Sequence, residues 1–145
     1  MRPRLLRLSA TLVVAIVLAA CSGSAIGGPT ISAAWARPGV AGGGSAAYLV
    51  IIGGPSADAL LSASSPGAAT VELHETSTDG SGMTGMHPLA SLAVPAGATV
   101  TLKPGSYHLM IMGLRQTVAM GDTLQLDLVF ERAGKVVVKA EVKGA

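Results

Sequence analysis

Seven short β-branched or alternating runs, recurring between Gly/Pro clusters, constrain this chain more than any other feature of it. They occupy residues 46–52, 59–63, 70–75, 99–103, 107–112, 123–131 and 136–142. Between them stand Gly53-Gly54-Pro55, Ser65-Pro66-Gly67, Pro95-Ala96-Gly97, Pro104-Gly105 and Ala133-Gly134. β-Branched residues pack well on a pleated surface, and Gly and Pro fix where the backbone must turn. Helical periodicity is nearly absent. Short strands at close spacing therefore predict an all-β, antiparallel sandwich or Greek-key barrel. The last two runs, joined across residues 132–135, predict a hairpin. Residues 76–85, rich in Ser, Thr, Gly and Asp around Met83, predict a mobile loop. No repeat and no linker to a second domain is visible.

The start of the chain is of a different kind. Arg2, Arg4 and Arg7 precede an apolar stretch over residues 12–20, too short for a lasting transmembrane helix. The stretch ends in Leu18-Ala19-Ala20-Cys21, which resembles the lipobox of bacterial lipoproteins. Residues 1–20 are then a signal peptide, Cys21 the lipidation site, residues 21–30 a flexible tether, and residues 31–145 one folded domain. Cleavage takes three of the ten Lys and Arg with it, so seven bases face eight acids in the remaining 125 residues. The formal charge of +2 thus belongs to the precursor, and the exported chain has no electrostatic footprint for nucleic acid. Cys21 is the only cysteine, so the domain has neither an internal disulfide nor a thiolate ligand.

Against that background four residues stand out: His74, Met86, His108 and Met110. Imidazole nitrogen with thioether sulfur is a soft, neutral donor set that suits Cu(I) and not Mg²⁺ or Ca²⁺. Alternation along a strand puts Val71 and Leu73 on one face and Glu72 and His74 on the other. By the same rule Leu109 and Ile111 oppose His108, Met110 and Met112. Both histidines are expected on the faces away from the core, with Met86 folding over them from the end of the loop. Thioethers do not form disulfides, and weak neutral ligation would let a thiolate-bearing partner take the metal. Met83, His87 and Met112 are possible accessory ligands.

At these residues the chain resembles the bacterial PCu(A)C copper chaperones. Their motif is His, ten residues after an optional Met, then Met, twenty-one residues, and His-x-Met. Here His74 is followed by Glu75, residues 76–85, Met86, residues 87–107 and His108-Leu109-Met110, with no gap. Gly105-Ser106-Tyr107 before the second histidine, Gly121-Asp122-Thr123 after it, and Ala34-Trp35-Ala36-Arg37 upstream are also similar to the family. The resemblance implies a cupredoxin-like β-sandwich that holds one Cu(I) through His74, Met86, His108 and Met110. It implies a non-enzymatic carrier in the cell envelope, outside the cytoplasmic membrane and held there by its lipid. Its implied partner is a copper-accepting protein, Sco-like or cytochrome c oxidase subunit II, in assembly of the oxidase copper centre. Glu75 stands where the optional Met would be, which removes a spare sulfur but no core ligand. Without a His/Met-rich tail up to Ala145, the resemblance carries no strong expectation of a second, Cu(II) site.

Other functions fit less well. A blue-copper electron carrier needs a Cys thiolate beside two His, and the one cysteine lies at the anchor position. A copper enzyme would need an open coordination position and an acid or base such as Glu72. The glycines at Gly42-Gly43-Gly44 lack the Lys-Ser/Thr of a phosphate loop. The remaining alternative is a lipid-anchored β-sandwich interaction module without a metal function.

Overall fold

A computed structural model describes residues 27–144. The signal segment, Cys21 and most of the expected tether lie outside the described residues. Ten strands follow one another: β1 (Thr30–Ala36), β2 (Ser45–Ile52), β3 (Asp58–Ser64), β4 (Ala68–Thr78), β5 (Thr84–Pro88), β6 (Leu92–Val94), β7 (Thr99–Leu102), β8 (Tyr107–Leu114), β9 (Thr123–Phe130) and β10 (Gly134–Val142). Seven of them close on themselves in the order β4-β8-β2-β1-β10-β9-β3, with β3 returning to β4 at Ala63↔Val71. β5, β6 and β7 extend β4, β3 and β2 beyond the ring. The fold is all-β, with one departure from antiparallel pairing. β1 and β10 run parallel at Trp35↔Glu141 and Ala36↔Val142, which joins the two ends of the domain.

Alternation builds the interior. Leu49 and Ile51 of β2, Leu109 and Ile111 of β8, and Leu126, Leu128 and Phe130 of β9 are all buried, and they meet in one cluster. Burying a side chain of this size contributes about 1.5–3 kcal/mol, so this row-by-row filling is what closes the barrel. The expected hairpin between the last two runs is β9–β10, in register from Gly134↔Phe130 to Glu141↔Thr123.

Two expectations need correction. Residues 76–85 are not a loop: β4 continues to Thr78, β5 starts at Thr84, and the two pair from His74↔Pro88 to Thr78↔Thr84. The Asp79 carboxylate accepts from Ser81 N–H (2.9 Å), Ser81 Oγ (2.5 Å) and Met83 N–H (3.0 Å), which makes the tight turn between them. Polar composition mimicked a loop because this hairpin buries no apolar face. The second correction is to the run pattern, which leaves out β1, β5 and β6. The family resemblance does mark Ala34-Trp35-Ala36 as part of an opening strand, and these residues lie in β1. The register of β1 slips between Ser32 and Trp35, with Ala33 at a φ of 49°, so a bulge breaks its alternation.

Candidate metal centre

β4 and β8 lie side by side, and their register decides which side chains meet. Glu72 is opposite Met110, Leu73 opposite Leu109, and His74 opposite His108. Leu73 and Leu109 point into the barrel, so both histidines fall on the outer face, with ring centroids 5.8 Å apart. Hairpin pairing sets Met86 opposite Thr76, one face position beyond His74. On the far flank, β2 pairs with β8 at Ala46↔Met110 and brings Tyr48 alongside. The result is an open cavity of about 240 Å³ lined by Met86, His108, Met110, Tyr48, Arg37 and Thr76, with Pro104 and Gly105 at its rim. His74 does not line the cavity itself; it lies across from His108 on the neighbouring strand. His108 was expected on an open face, yet it is only 4% exposed, because the flanking strands cover it.

The turn before β8 explains how His108 is held. Pro104 and Gly105 occupy the second and third places of a turn closed by Ser106 N–H donating to the Lys103 carbonyl at 3.1 Å. Gly105 has a φ of 77°, as a type II turn requires at that place. The turn aims the Ser106 carbonyl back into the sheet. It accepts from Thr76 N–H (3.1 Å) and from His108 Nδ1–H (3.1 Å), tying β4 and the imidazole to one oxygen.

Hydrogen bonding settles which nitrogen of each ring is free. A carbonyl only accepts, so His108 carries its proton on Nδ1 and keeps a lone pair on Nε2. His74 donates from Nε2 to Glu72 Oε2 at 2.9 Å, which leaves the lone pair on Nδ1. Both free nitrogens, His74 Nδ1 and His108 Nε2, are buried with no hydrogen-bond partner. Such an orphan costs about 1–3 kcal/mol, and two in adjacent rings is an arrangement that a folded protein keeps for a reason. A cation that accepts electron pairs from both would remove the cost. Second-atom hydrogen bonds of this kind are how metal-binding imidazoles are oriented.

The charges around the cavity are sparse. Arg37 stands over the Tyr48 ring at 5.9 Å, and Tyr48 stacks on Trp35 with centroids 4.5 Å apart. Among the described residues no three His, Cys, Asp or Glu side chains converge. What converges instead is imidazole nitrogen with thioether sulfur, which suits a soft monovalent ion.

The remaining sequence candidates lie apart from this cavity. Met83 is in the hairpin turn and 69% exposed. His87 is next to Met86 on β5, so it points to the other face, opposite Glu75. Met112 shares the face of Met110 but lies one step further along, opposite Thr70. Sequence reading missed Tyr48, Arg37 and the Ser106 carbonyl. Tyr48 on β2 and Arg37 just after β1 are remote in sequence from β4 and β8, and a backbone carbonyl leaves no residue-type signal.

Comparison with known proteins adds the following. The family model described as "Putative lipoprotein LpqE-like" matches residues 29–142. "Putative lipoprotein Lxx21020" of Leifsonia xyli subsp. xyli (strain CTCB07) is 28% identical over 150 residues, covering 97% of this chain and 90% of the relative. Among solved structures, the copper-bound PCuAC domain from PmoF2 superposes with a TM-score of 0.67 at 22% identity, over 81% of this chain and 93% of that one. The solution structure of CuI-DR1885 from Deinococcus radiodurans gives 0.58 at 28% identity, over 78% of each chain.

Proposed function

Since this chain belongs to the LpqE-like lipoprotein family and has the fold of PCuAC domains, we propose that it is an extracytoplasmic Cu(I) metallochaperone. It is a carrier and not an enzyme. His74 Nδ1, His108 Nε2 and the sulfurs of Met86 and Met110 hold the ion. Copper-bound structures of PmoF2 and DR1885 support the choice of cargo. The single observation that carries the reading is the pair of buried, unpartnered imidazole nitrogens in adjacent rings, one of which, His108, shares a cavity with the two methionines. An interaction module without a metal function gives no account of that pair.

Release follows from the same donor set. All four ligands are neutral, so no anionic ligand adds charge attraction to the hold on Cu(I). Met86 is 59% exposed and sits on the outermost strand of the sheet, so an incoming thiolate meets it first. Exchange of thioether for thiolate then hands the ion to a copper-accepting partner. That partner is Sco-like or subunit II of cytochrome c oxidase, and delivery serves assembly of the oxidase copper centre. Removal of residues 1–20 and lipidation of Cys21 keep the carrier in the cell envelope; the lipoprotein relatives support this.

Anaerobic titration of residues 22–145 with Cu(I) against a chromogenic Cu(I) chelator, with X-ray absorption on the loaded protein, tests the reading. One site with mixed nitrogen and sulfur scatterers is expected. Met110→Ala and His108→Ala each weaken it by more than about tenfold, the scale on which even supporting contacts act. A stoichiometry near zero, or unchanged affinity in both variants, would sink the proposal.

A further inference from the structure

Glu72 is, we propose, the positioning residue of this site, fixing His74 so that Nδ1 and not Nε2 meets the metal. The inference rests on His74 being a ligand. It begins with strand parity: residues two apart share a face, so the carboxyl of Glu72 reaches the ring of His74 along β4. The contact is short, 2.9 Å from Oε2 to Nε2, and it occupies the nitrogen that faces outward. Nδ1 is left inward, buried and without a partner. Rotation of the ring by half a turn about Cβ–Cγ would put Cδ2 where Nδ1 stands and Cε1 where Nε2 stands. A C–H would then stand where a lone pair is needed, and the carboxylate would face a second C–H in place of its donor. Glu72 thus holds one of two nearly isosteric ring orientations.

His108 is held by a different device. Its second nitrogen donates to the Ser106 carbonyl, so there the inner donor is Nε2. The two rings present unlike nitrogens because their anchors lie on opposite sides. Glu72 is two residues before His74 along β4, and Ser106 is two residues before His108 along the antiparallel β8. The Ser106 anchor is a backbone carbonyl, which no change of the Ser106 side chain removes, whereas the His74 anchor is a single exposed carboxylate. His74 is therefore the ligand whose orientation depends on a side chain.

Three variants separate orientation from charge in the full exported chain. Glu72→Gln keeps an acceptor oxygen and loses the charge; Glu72→Ala loses both; His108→Ala reports on the site as a whole. For positioning, Cu(I) affinity by chelator competition falls about tenfold in Glu72→Ala and is largely restored in Glu72→Gln. In the metal-free protein, long-range ¹H–¹⁵N spectra show a protected His74 Nε2–H in the parent and in Glu72→Gln. In Glu72→Ala that proton is lost to solvent exchange. Equal losses of affinity in Gln and Ala variants would mean that Glu72 acts by charge alone and would overturn the inference. So would unchanged affinity in both, or an unprotected Nε2–H in the parent. A parent chain that binds no Cu(I) while keeping the protected Nε2–H overturns the copper reading instead, and leaves the hydrogen bond standing.

Discussion

At the scale of single residues, Asp58 at the start of β3 is a side chain outside the metal site that ties distant backbone together. Its Oδ1 accepts from Ala59 N–H (2.8 Å) and Arg132 N–H (2.9 Å), and its Oδ2 from Ala133 N–H (3.0 Å). One carboxylate thus clamps the β9–β10 turn onto another strand. Burial alone would raise its pKa; the three N–H donors and the Arg132 charge outweigh it and hold the carboxyl below the ordinary value. A group depressed in the folded state adds stability above its unfolded pKa and loses it as pH falls through the folded one. Asp58→Ala should cost about 1–2 kcal/mol near neutral pH, since two half-buried N–H donors and one exposed donor lose a charged acceptor. Asp58→Asn should cost less, keeping one acceptor oxygen. Urea midpoints measured down a pH series should converge for parent and variants below the usual carboxylate range. A gap that stays constant to pH 2 would show that the charge is irrelevant. The sequence gives no hint of this clamp, because its two halves are 74 residues apart. His74, His108 and Met110 were legible for the opposite reason, as their facing follows from parity within one strand.

Among elements, the Lys103–Ser106 turn is the one on which the site depends most directly. A Cβ on Gly105 would meet nothing within 4 Å, so Gly105→Ala tests the backbone and not packing. At a φ of 77° an L-residue is strained by about 1–2 kcal/mol. Relaxation of the turn would move the Ser106 carbonyl off His108 Nδ1. Gly105→Ala should therefore lower thermal stability and also weaken Cu(I) binding. Gly80 in the β4–β5 turn also has open space around it, but no positive φ. Gly80→Ala should leave stability unchanged or raise it by up to about 1 kcal/mol, with Cu(I) affinity intact. Calorimetry and chelator competition on the two variants make the contrast. Equal behaviour would refute the role given to the turn. Pro104-Gly105 was readable as a break between strands. That it also serves a histidine was not, because the link runs through a carbonyl. The β4–β5 hairpin misled in the other direction: Thr76, Thr78 and Thr84 carry no apolar alternation, so pairing on the outermost strand has no compositional trace.

For the whole molecule, closure of the barrel is what local pattern cannot specify. The strand set was largely visible in the runs, while the parallel β1–β10 seam and the β3–β4 contact join residues remote in sequence. Those joints are unequal. β9 and β10 pair along their whole length, but β3 and β4 meet only at Ala63↔Val71. A cavity of about 270 Å³ opens beside that contact, between Leu61, Ala63, Val71 and Leu89. The barrel should open there first, because few bonds must break. All four proposed ligands lie on one side of the seam, on β4, β5 and β8. Cu(I) would clamp those three strands to one another and add nothing across to β3. Binding also raises global stability, so amides that exchange only through complete unfolding should slow everywhere. Amides that exchange through local opening respond only where the ion holds. Hydrogen exchange with and without Cu(I) should then show added protection in β5 and the adjoining ends of β4 and β8. The fast-exchanging amides around Ala63 and Val71 should keep their rates. Equal slowing on both sides of the seam would mean that the ion is held across the barrel, and the ligand set proposed here would have to include a residue of β3.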